Sequence, residues 1–369
     1  MSDVRVVVAR GDGVARGQHI GAELGDLIRR SVDYYHVYLD RRGVSSQGLQ
    51  ELLTPYLAAA EQNFPDMTDV LKGMSMGALV PVMELFAINA FEELEPLLEP
   101  QEGQMLFLQR KEGYLKAPPE RCSSVAIRTP EGRTLHAHNE QWLAGDLGNV
   151  AVVVDIPSDG RVPVASPTIV SCIPAVGVNG HGVAQGIGSM TASDDRIGIP
   201  RVLVSRHSLE AKDPSDAVTR ASVPGRAGGY GHVFAFPGGD LLTLETTAER
   251  HAALDPPGPH TNHYEDPGLA ELAPPPSEGS MSRLERLREL IAERDPRTVE
   301  DLMEIMRDHG SSPQSICLHP EPDEGDEASA CLFSMVVDVD ARRMWVTSGN
   351  PCDQEYTEID LTVLERAGR

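Results

Sequence analysis

No stretch of the sequence approaches the ~18 apolar residues of a membrane span, and the amino terminus, MSDVRVVVARGDG, has no apolar core of the signal-peptide kind. The expectation is a cytoplasmic protein with no membrane partner. Basic residues are few: 32 Lys and Arg stand against 56 Asp and Glu, a formal net charge of −24. Such a field repels phosphate backbones, so nucleic acid is excluded as an expected partner. The acid excess itself reads as a solvated surface that favours solubility. Cysteine is sparse and irregular. Cys122, Cys172, Cys317, Cys331 and Cys352 are an odd number without a CxxC pair, so neither a disulfide framework nor a zinc knuckle is indicated, and a reducing compartment fits. Aromatic residues make up only 5%, which leaves no stacking platform. The glycines of GVNGHGVAQG lack the GxGxxG spacing, so no nucleotide cofactor is expected.

What is present is an ordinary globular composition, 40% hydrophobic over 369 residues, long enough for one large domain or two. From His19 to about Leu98 the apolar residues recur at helical spacing, as in HIGAELGDLIRRSVDYYHVYL and MTDVLKGMSMGALVPVMELFAINAFEELEPLL. Residues 99 to 121 lose this periodicity and end near Pro118-Pro119, which favours an extended, exposed connection. Beyond it the period falls to two in CSSVAIR, RTLHAHN, NVAVVVDI, VFAFPGGDLLTLET and CLFSMVVDVDARRMWVTSG, which predicts strands and hairpins. Helices return at RVLVSRHSLEAK, at SRLERLRELIAER with Ser280 or Ser282 as its cap, and at TVEDLMEIMRDHG. The predicted fold class is a layered α+β body, with a helical segment over residues 1–121 and a β-rich body over 122–369. Two loops stand out, the Pro-rich DPPGPHTNHYEDPGLAELAPPPSEGS and the acidic HPEPDEGDEAS, which lacks the spacing of a calcium loop.

Cys122 lies where the helical segment gives way to the β-rich body, a place where a precursor could be cut to expose a new terminus. Cleavage of the Arg121–Cys122 bond would give Cys122 a free α-amine, of pKa about 7.7–8, beside a thiol of pKa about 8.5. Nucleophile and base would then share one residue, and no separate histidine is required.

The order of MTDVLKGMSMGA and LFAINAFEEL, RCSSVAI with EGRTLHAHNEQW, GVNGHGVAQGIGSM, HTNHY, SICLHP and MWVTSGNPC resembles the C45 peptidase family over nearly the whole chain. That family includes acyl-coenzyme A:6-aminopenicillanic acid acyltransferase and the carcinine and β-alanyl-dopamine hydrolases. The resemblance implies an αββα sandwich of the Ntn-hydrolase type, self-cleavage before the cysteine, and amide hydrolysis or acyl transfer by that cysteine. No cofactor is expected. The expected partner is a small acylated amine or amino-acid amide as substrate, with an acyl-CoA entering, if at all, as a substrate. The two fragments are expected to stay associated, and homo-oligomerisation is left open. Carried over by motif, Cys122 is the nucleophile and Asn262 of HTNHY supplies an oxyanion-hole amide, while Ser124 and Asn139 support the site.

Three positions depart from the family pattern. Gln141 of NEQW stands where an aspartate orients the α-amine, and Leu318 of SICLHP stands where an arginine is common. If the family pair is ionic, losing both members is less disruptive than losing one. Arg121 replaces the small residue usual before the scissile bond. Alternation along a strand argues against Glu140 substituting for Gln141. Two rival readings remain open. One is a metal hydrolase built from His136, His138, His260 and His263; the other is a retired scaffold that binds without turnover, recognisable by an uncut chain with an unreactive Cys122.

Overall fold

The computed structural model describes residues 4–98, 122–321, 323 and 325–367. The Pro118-Pro119 connection and Arg121 lie outside the described residues. Two sheets form the centre. The first has eight strands: β1 (Arg5–Gly11), β4 (Val150–Pro157), β5 (Val164–Ile169), β6 (Gly177–Asn179), β7 (Ala184–Met190), β8 (Gly229–Ala235), β9 (Leu241–Thr246) and β10 (His251–Ala253), in that spatial order. The second runs β13 (Thr357–Ile359), β12 (Arg343–Ser348), β11 (Ser329–Asp338), β3 (Thr134–Leu143) and β2 (Ser123–Arg128). Neighbours are antiparallel except for β1, which pairs parallel with β4.

The period-two pattern produces the layers. Val233 and Ala235 of β8 pack with Met335 and Val337 of β11 between the sheets, while the intervening Phe234 and Val336 face outward. Outside the first sheet lie α7 (Arg201–Ser208) and α8 (Pro214–Ala221), with α1 (Gly13–Glu23), α2 (Gly25–Arg41), α3 (Ser46–Asn63), α4 (Pro65–Ala78), α5 (Val82–Asn89) and α6 (Phe91–Leu98) extending the same apolar core. Outside the second lie α10 (Glu278–Arg294) and α11 (Val299–Met306), which bury Leu287, Leu290, Leu302 and Met303 against Leu135, Ala137 and Val336. A short α9 (Pro267–Ala270) and a terminal α12 (Thr362–Ala367) complete the described helices. The order helix, sheet, sheet, helix is the expected α+β sandwich.

Two local readings change. The amino-terminal segment opens with β1, whose seven residues pair with β4, so it contributes to the body's own sheet. The helix expected to start at Ser280 or Ser282 starts earlier, at Glu278, because Ser277, the first residue after Pro274-Pro275-Pro276, accepts from the Ser280 amide and caps it. The Ser280 hydroxyl is thereby released to bond elsewhere.

α1 and α4 approach along glycines spaced four apart, Gly13, Gly17 and Gly21 against Gly73 and Gly77. A Cβ on Gly17 would stand 2.0 Å from the Val70 carbonyl oxygen, and one on Gly73 would stand 2.3 Å from that of Val14. Gly→Ala in a helix interior ordinarily gains up to ~1 kcal/mol, whereas overpacking costs about 1–3 kcal/mol or more. Against an immovable backbone the second effect wins. Gly17→Ala is therefore expected to lower the urea midpoint and the melting temperature, and an unchanged or raised midpoint would contradict this close approach.

Candidate active site

The hairpin of β2 and β3 aligns Ser123 with Asn139 and Ser124 with His138. One step further, Cys122 meets Glu140: the thiol sulfur lies 3.4 Å from Glu140 Oε1 and 3.9 Å from the Gln141 carbonyl oxygen. Cys122 is buried at 3% exposure and has φ of 61°, in the left-handed region that side-chain-bearing residues rarely occupy. Such a conformation typically stores ~1–3 kcal/mol and persists only when its surroundings enforce it. Burial, and then the negative charge of Glu140, push the Cys122 thiol well above its ordinary pKa. A neighbouring base is therefore needed to ionise it near neutrality.

Glu140 has the geometry of that base. Its Oε2 lies 3.0 Å from His138 Nε2, and His138 Nδ1 lies 2.8 Å from Ser124 Oγ. With the carboxylate accepting from Nε2–H, His138 Nδ1 is left to accept from the Ser124 hydroxyl. Ser124, His138, Glu140 and Cys122 thus form one proton-linked row. Ser124 also exchanges backbone hydrogen bonds of 3.0 and 2.9 Å with His260, which draws the HTNHY segment to β2.

That segment is held tightly for a Pro-rich loop. His260 Nε2 lies 2.9 Å from Glu245 Oε1, Thr261 Oγ1 lies 2.9 Å from Ser280 Oγ, and the Asn262 backbone N–H donates to Ser280 Oγ at 2.8 Å. The buried Arg283 of α10 reaches both halves of the site. Nη1 donates to the Cys122 carbonyl and, at 3.0 Å, to Ser123 Oγ, while Nη2 donates to Asn262 Oδ1 at 3.0 Å. With its oxygen held by a cation, the Asn262 amide turns Nδ2 toward the Ser189 carbonyl, 3.2 Å away. Ser189 lines the same pocket as Cys122.

The pocket encloses about 70 Å³ and is apolar along most of its wall, which includes Ile88, Phe91, Trp142, Ile169, Val176 and Phe333. Glu92 marks its polar side and accepts hydrogen bonds from Ser189 and Tyr230.

The remaining sequence candidates lie elsewhere. Asn139 and Gln141 occupy the outer face of β3: Asn139 Nδ2 donates to the carbonyls of Met306 (2.9 Å) and Ile316 (2.8 Å), and Gln141 Nε2 donates to that of Ile316 (2.8 Å). The Gln141 side chain therefore faces the loop after α11, while the adjacent Glu140 takes the inner position that the motif comparison assigns to residue 141. The four histidines of the metal-hydrolase reading do not converge. His136 donates from Nε2 to the Val233 carbonyl at 3.1 Å, and burial, then His138, pull its pKa down to about 3. His263 bonds Ser280, and among the described residues the groups of metal-competent atoms do not combine these four.

A family model described as acyl-coenzyme A:6-aminopenicillanic acid acyl-transferase matches residues 128–353, more than half of the chain. The chain belongs to this family. Among curated proteins, none matches it significantly. Solved structures similar to it include a mutant conjugated bile acid hydrolase from Clostridium perfringens, with TM-score 0.45 and 11% identity over 66% of this chain and 94% of that one. Penicillin V acylase from Agrobacterium tumefaciens has TM-score 0.41 and 11% identity over 66% of this chain and 87% of that one. Membership agrees with the C45 resemblance and places the protein in an acyl-transferase family. No described helix is long and apolar enough to cross a membrane.

Of the three departures from the family pattern, two lie within the described residues, Gln141 on the outer face of β3 and Leu318 on the loop that Gln141 bonds. Gln141 contacts the Ile316 carbonyl, and two residues on, the buried Leu318 presents its own carbonyl to Cys331 N at 2.9 Å and to Asn350 Nδ2 at 2.7 Å. A carboxylate at 141 would face carbonyl oxygens with no proton to give. Gln141→Glu is accordingly expected to destabilise the fold by about 1–3 kcal/mol. Adding Leu318→Arg should recover part of the loss, read as coupling in a double-mutant cycle of denaturation midpoints. Full stability of Gln141→Glu alone would remove the anchoring role.

Proposed function

We propose that the protein is a self-processing cysteine amidohydrolase or N-acyltransferase of the Ntn type, with Cys122 as nucleophile. The observation that carries this reading is the Cys122 thiol 3.4 Å from the Glu140 carboxylate, at the wall of an apolar pocket and on a backbone with positive φ. In the first reaction Glu140 takes the thiol proton and the thiolate attacks the Arg121 carbonyl carbon. Collapse of the tetrahedral intermediate breaks the C–N bond, gives the proton to the leaving nitrogen and leaves a thioester, which water hydrolyses. The α-amine released on Cys122 then acts as base in the mature reaction. The fragments 1–121 and 122–369 stay together because β1 remains paired with β4 and the amino-terminal helices share the body's core.

In the mature reaction the substrate acyl group occupies the apolar pocket, which suits a small acyl chain better than a charged one. Asn262 Nδ2 stabilises the oxyanion, and Arg283 positions it. An acyl-CoA would serve as acyl donor, and water or an amine as acceptor. The buried, protonated thiol favours a second reading, a scaffold that no longer turns over, and one measurement separates the two.

Intact mass spectrometry of the wild type is expected to show two chains divided before Cys122, and one chain for Cys122→Ala. A wild type that stays whole on long incubation supports the scaffold. Glu140→Gln should slow self-cleavage by ~10²–10⁴, the usual worth of a positioned base, and an unchanged rate would exclude Glu140. Asn262→Ala should lower turnover of acylated amines by about 10²–10³ while the chain still cleaves and folds.

A further inference from the structure

A second cluster of reactive side chains lies on the far side of the second sheet, apart from Cys122. His309 Nε2 and His319 Nε2 are 3.1 Å apart, and the Cys317 and Cys352 sulfurs are 3.5 Å apart. His319 Nε2 lies 3.2 Å from Cys352 Sγ and 3.9 Å from Cys317 Sγ, and all four donor atoms lie within 4.8 Å of one another. Zinc holds imidazole nitrogen at about 2.0–2.1 Å and thiolate sulfur at about 2.3 Å in a tetrahedron, which sets edges between donors of roughly 3.3–3.8 Å. The observed separations bracket these edges.

The surroundings suit such a site. Two imidazole nitrogens converging at 3.1 Å compete for one proton between them, whereas a shared cation uses both lone pairs. The Asn350 Nδ2 amide is directed at Cys317 Sγ, 3.5 Å away, and at the Leu318 carbonyl, so an outer hydrogen bond supports a ligating sulfur. The connection from α11 to β11, residues 307–328, has no regular structure among its described residues beyond a short 3-10 turn. A connection of this length ordinarily needs a function or a staple. Three of the four donors lie on it and the fourth lies just past β12 on the neighbouring segment. We propose that His309, Cys317, His319 and Cys352 form a structural Cys2His2 zinc site that fastens this connection to the second sheet. Two thiolates with two imidazoles in tetrahedral arrangement select zinc over hard cations. The sequence spacing, without CxxC, conceals it, because the chain returns to the site after the β11–β12 hairpin.

The site would act on the active centre at a distance. Asn139 and Gln141 reach from the strand bearing Glu140 to carbonyls of the same connection, so a fastened loop fixes the outer face of β3.

Wild-type protein, expressed with added zinc and purified without chelator under reducing conditions, should carry about one zinc per chain by elemental analysis. X-ray absorption should show two sulfur and two nitrogen neighbours. Cys352→Ser, an exposed position that tolerates change, should hold less than about a tenth of that zinc, and Cys122→Ala should hold all of it. Dipicolinate should lower the melting temperature of the wild type and leave that of Cys352→Ser unmoved. Zinc-free wild type under these conditions would overturn the proposal. So would a wild-type mass lower by two hydrogens, showing a Cys317–Cys352 disulfide, or zinc lost with Cys122→Ala and kept by Cys352→Ser.

Discussion

The register of the β2–β3 hairpin is the constraint on which the site depends. Because Ser124 pairs with His138 and Ser123 with Asn139, the next pair is Cys122 with Glu140. Alternation then sends His136, His138 and Glu140 between the sheets and Asn139 and Gln141 outward. A slip of one residue would exchange these sets and leave the thiol facing amides in place of a carboxylate. The opposing sheet makes room at Gly186 of β7, where a Cβ would lie 2.7 Å from Ser124 Oγ and 3.0 Å from His138 Nδ1. Sheet register and one small residue together place the proton-linked row.

Burying that row has an electrostatic consequence. Glu140 and Glu92 both bear on Cys122, and each favours the protonated thiol. The Arg283 guanidinium stands close by, yet its hydrogen bonds to Cys122, Ser123 and Asn262 all end on neutral oxygens. Those bonds order the acceptors around Cys122 and leave the thiol protonated. In the self-cleavage proposed above, a thiol so placed stays quiet until the adjacent carboxylate removes its proton. This suits a group that must survive folding and react with one neighbour.

The layers and the strand-rich body are legible in the sequence, because period two, period three to four and motif order are local signals. Ser280 is legible only as a helix-cap type of residue, and in the fold Ser277 takes the cap while Ser280 holds Thr261, Asn262 and His263. Glu140 is masked by alternation itself, because the rule excludes it once residue 141 is taken as the inward member. Alternation is obeyed; which member points inward follows from the hairpin register, counted back from the turn between Thr129 and Arg133. Arg283 carries no local signal, since an arginine in SRLERLREL looks like the solvated face of a helix until tertiary packing buries it. The cluster of His309, Cys317, His319 and Cys352 is hidden for a related reason, its members being joined by sheet topology and not by spacing.

Two of the departures from the family pattern, Gln141 and Leu318, gain a physical meaning from the same geometry. An aspartate at 141 would need a cation on the loop, and an arginine at 318 would supply one. With Leu318 there, the loop presents carbonyls, and the group that satisfies carbonyls is a neutral donor, which Gln141 provides through Nε2. One neutral arrangement replaces one charged arrangement, and neither leaves an ion buried alone. Gln141 lies on the outer face of β3 and Leu318 on the loop it bonds, whereas Glu140 and His138 lie on the inner face beside the thiol and Ser124. The substitutions therefore bear on how the loop is fastened, and the groups that would carry the chemistry are untouched by them.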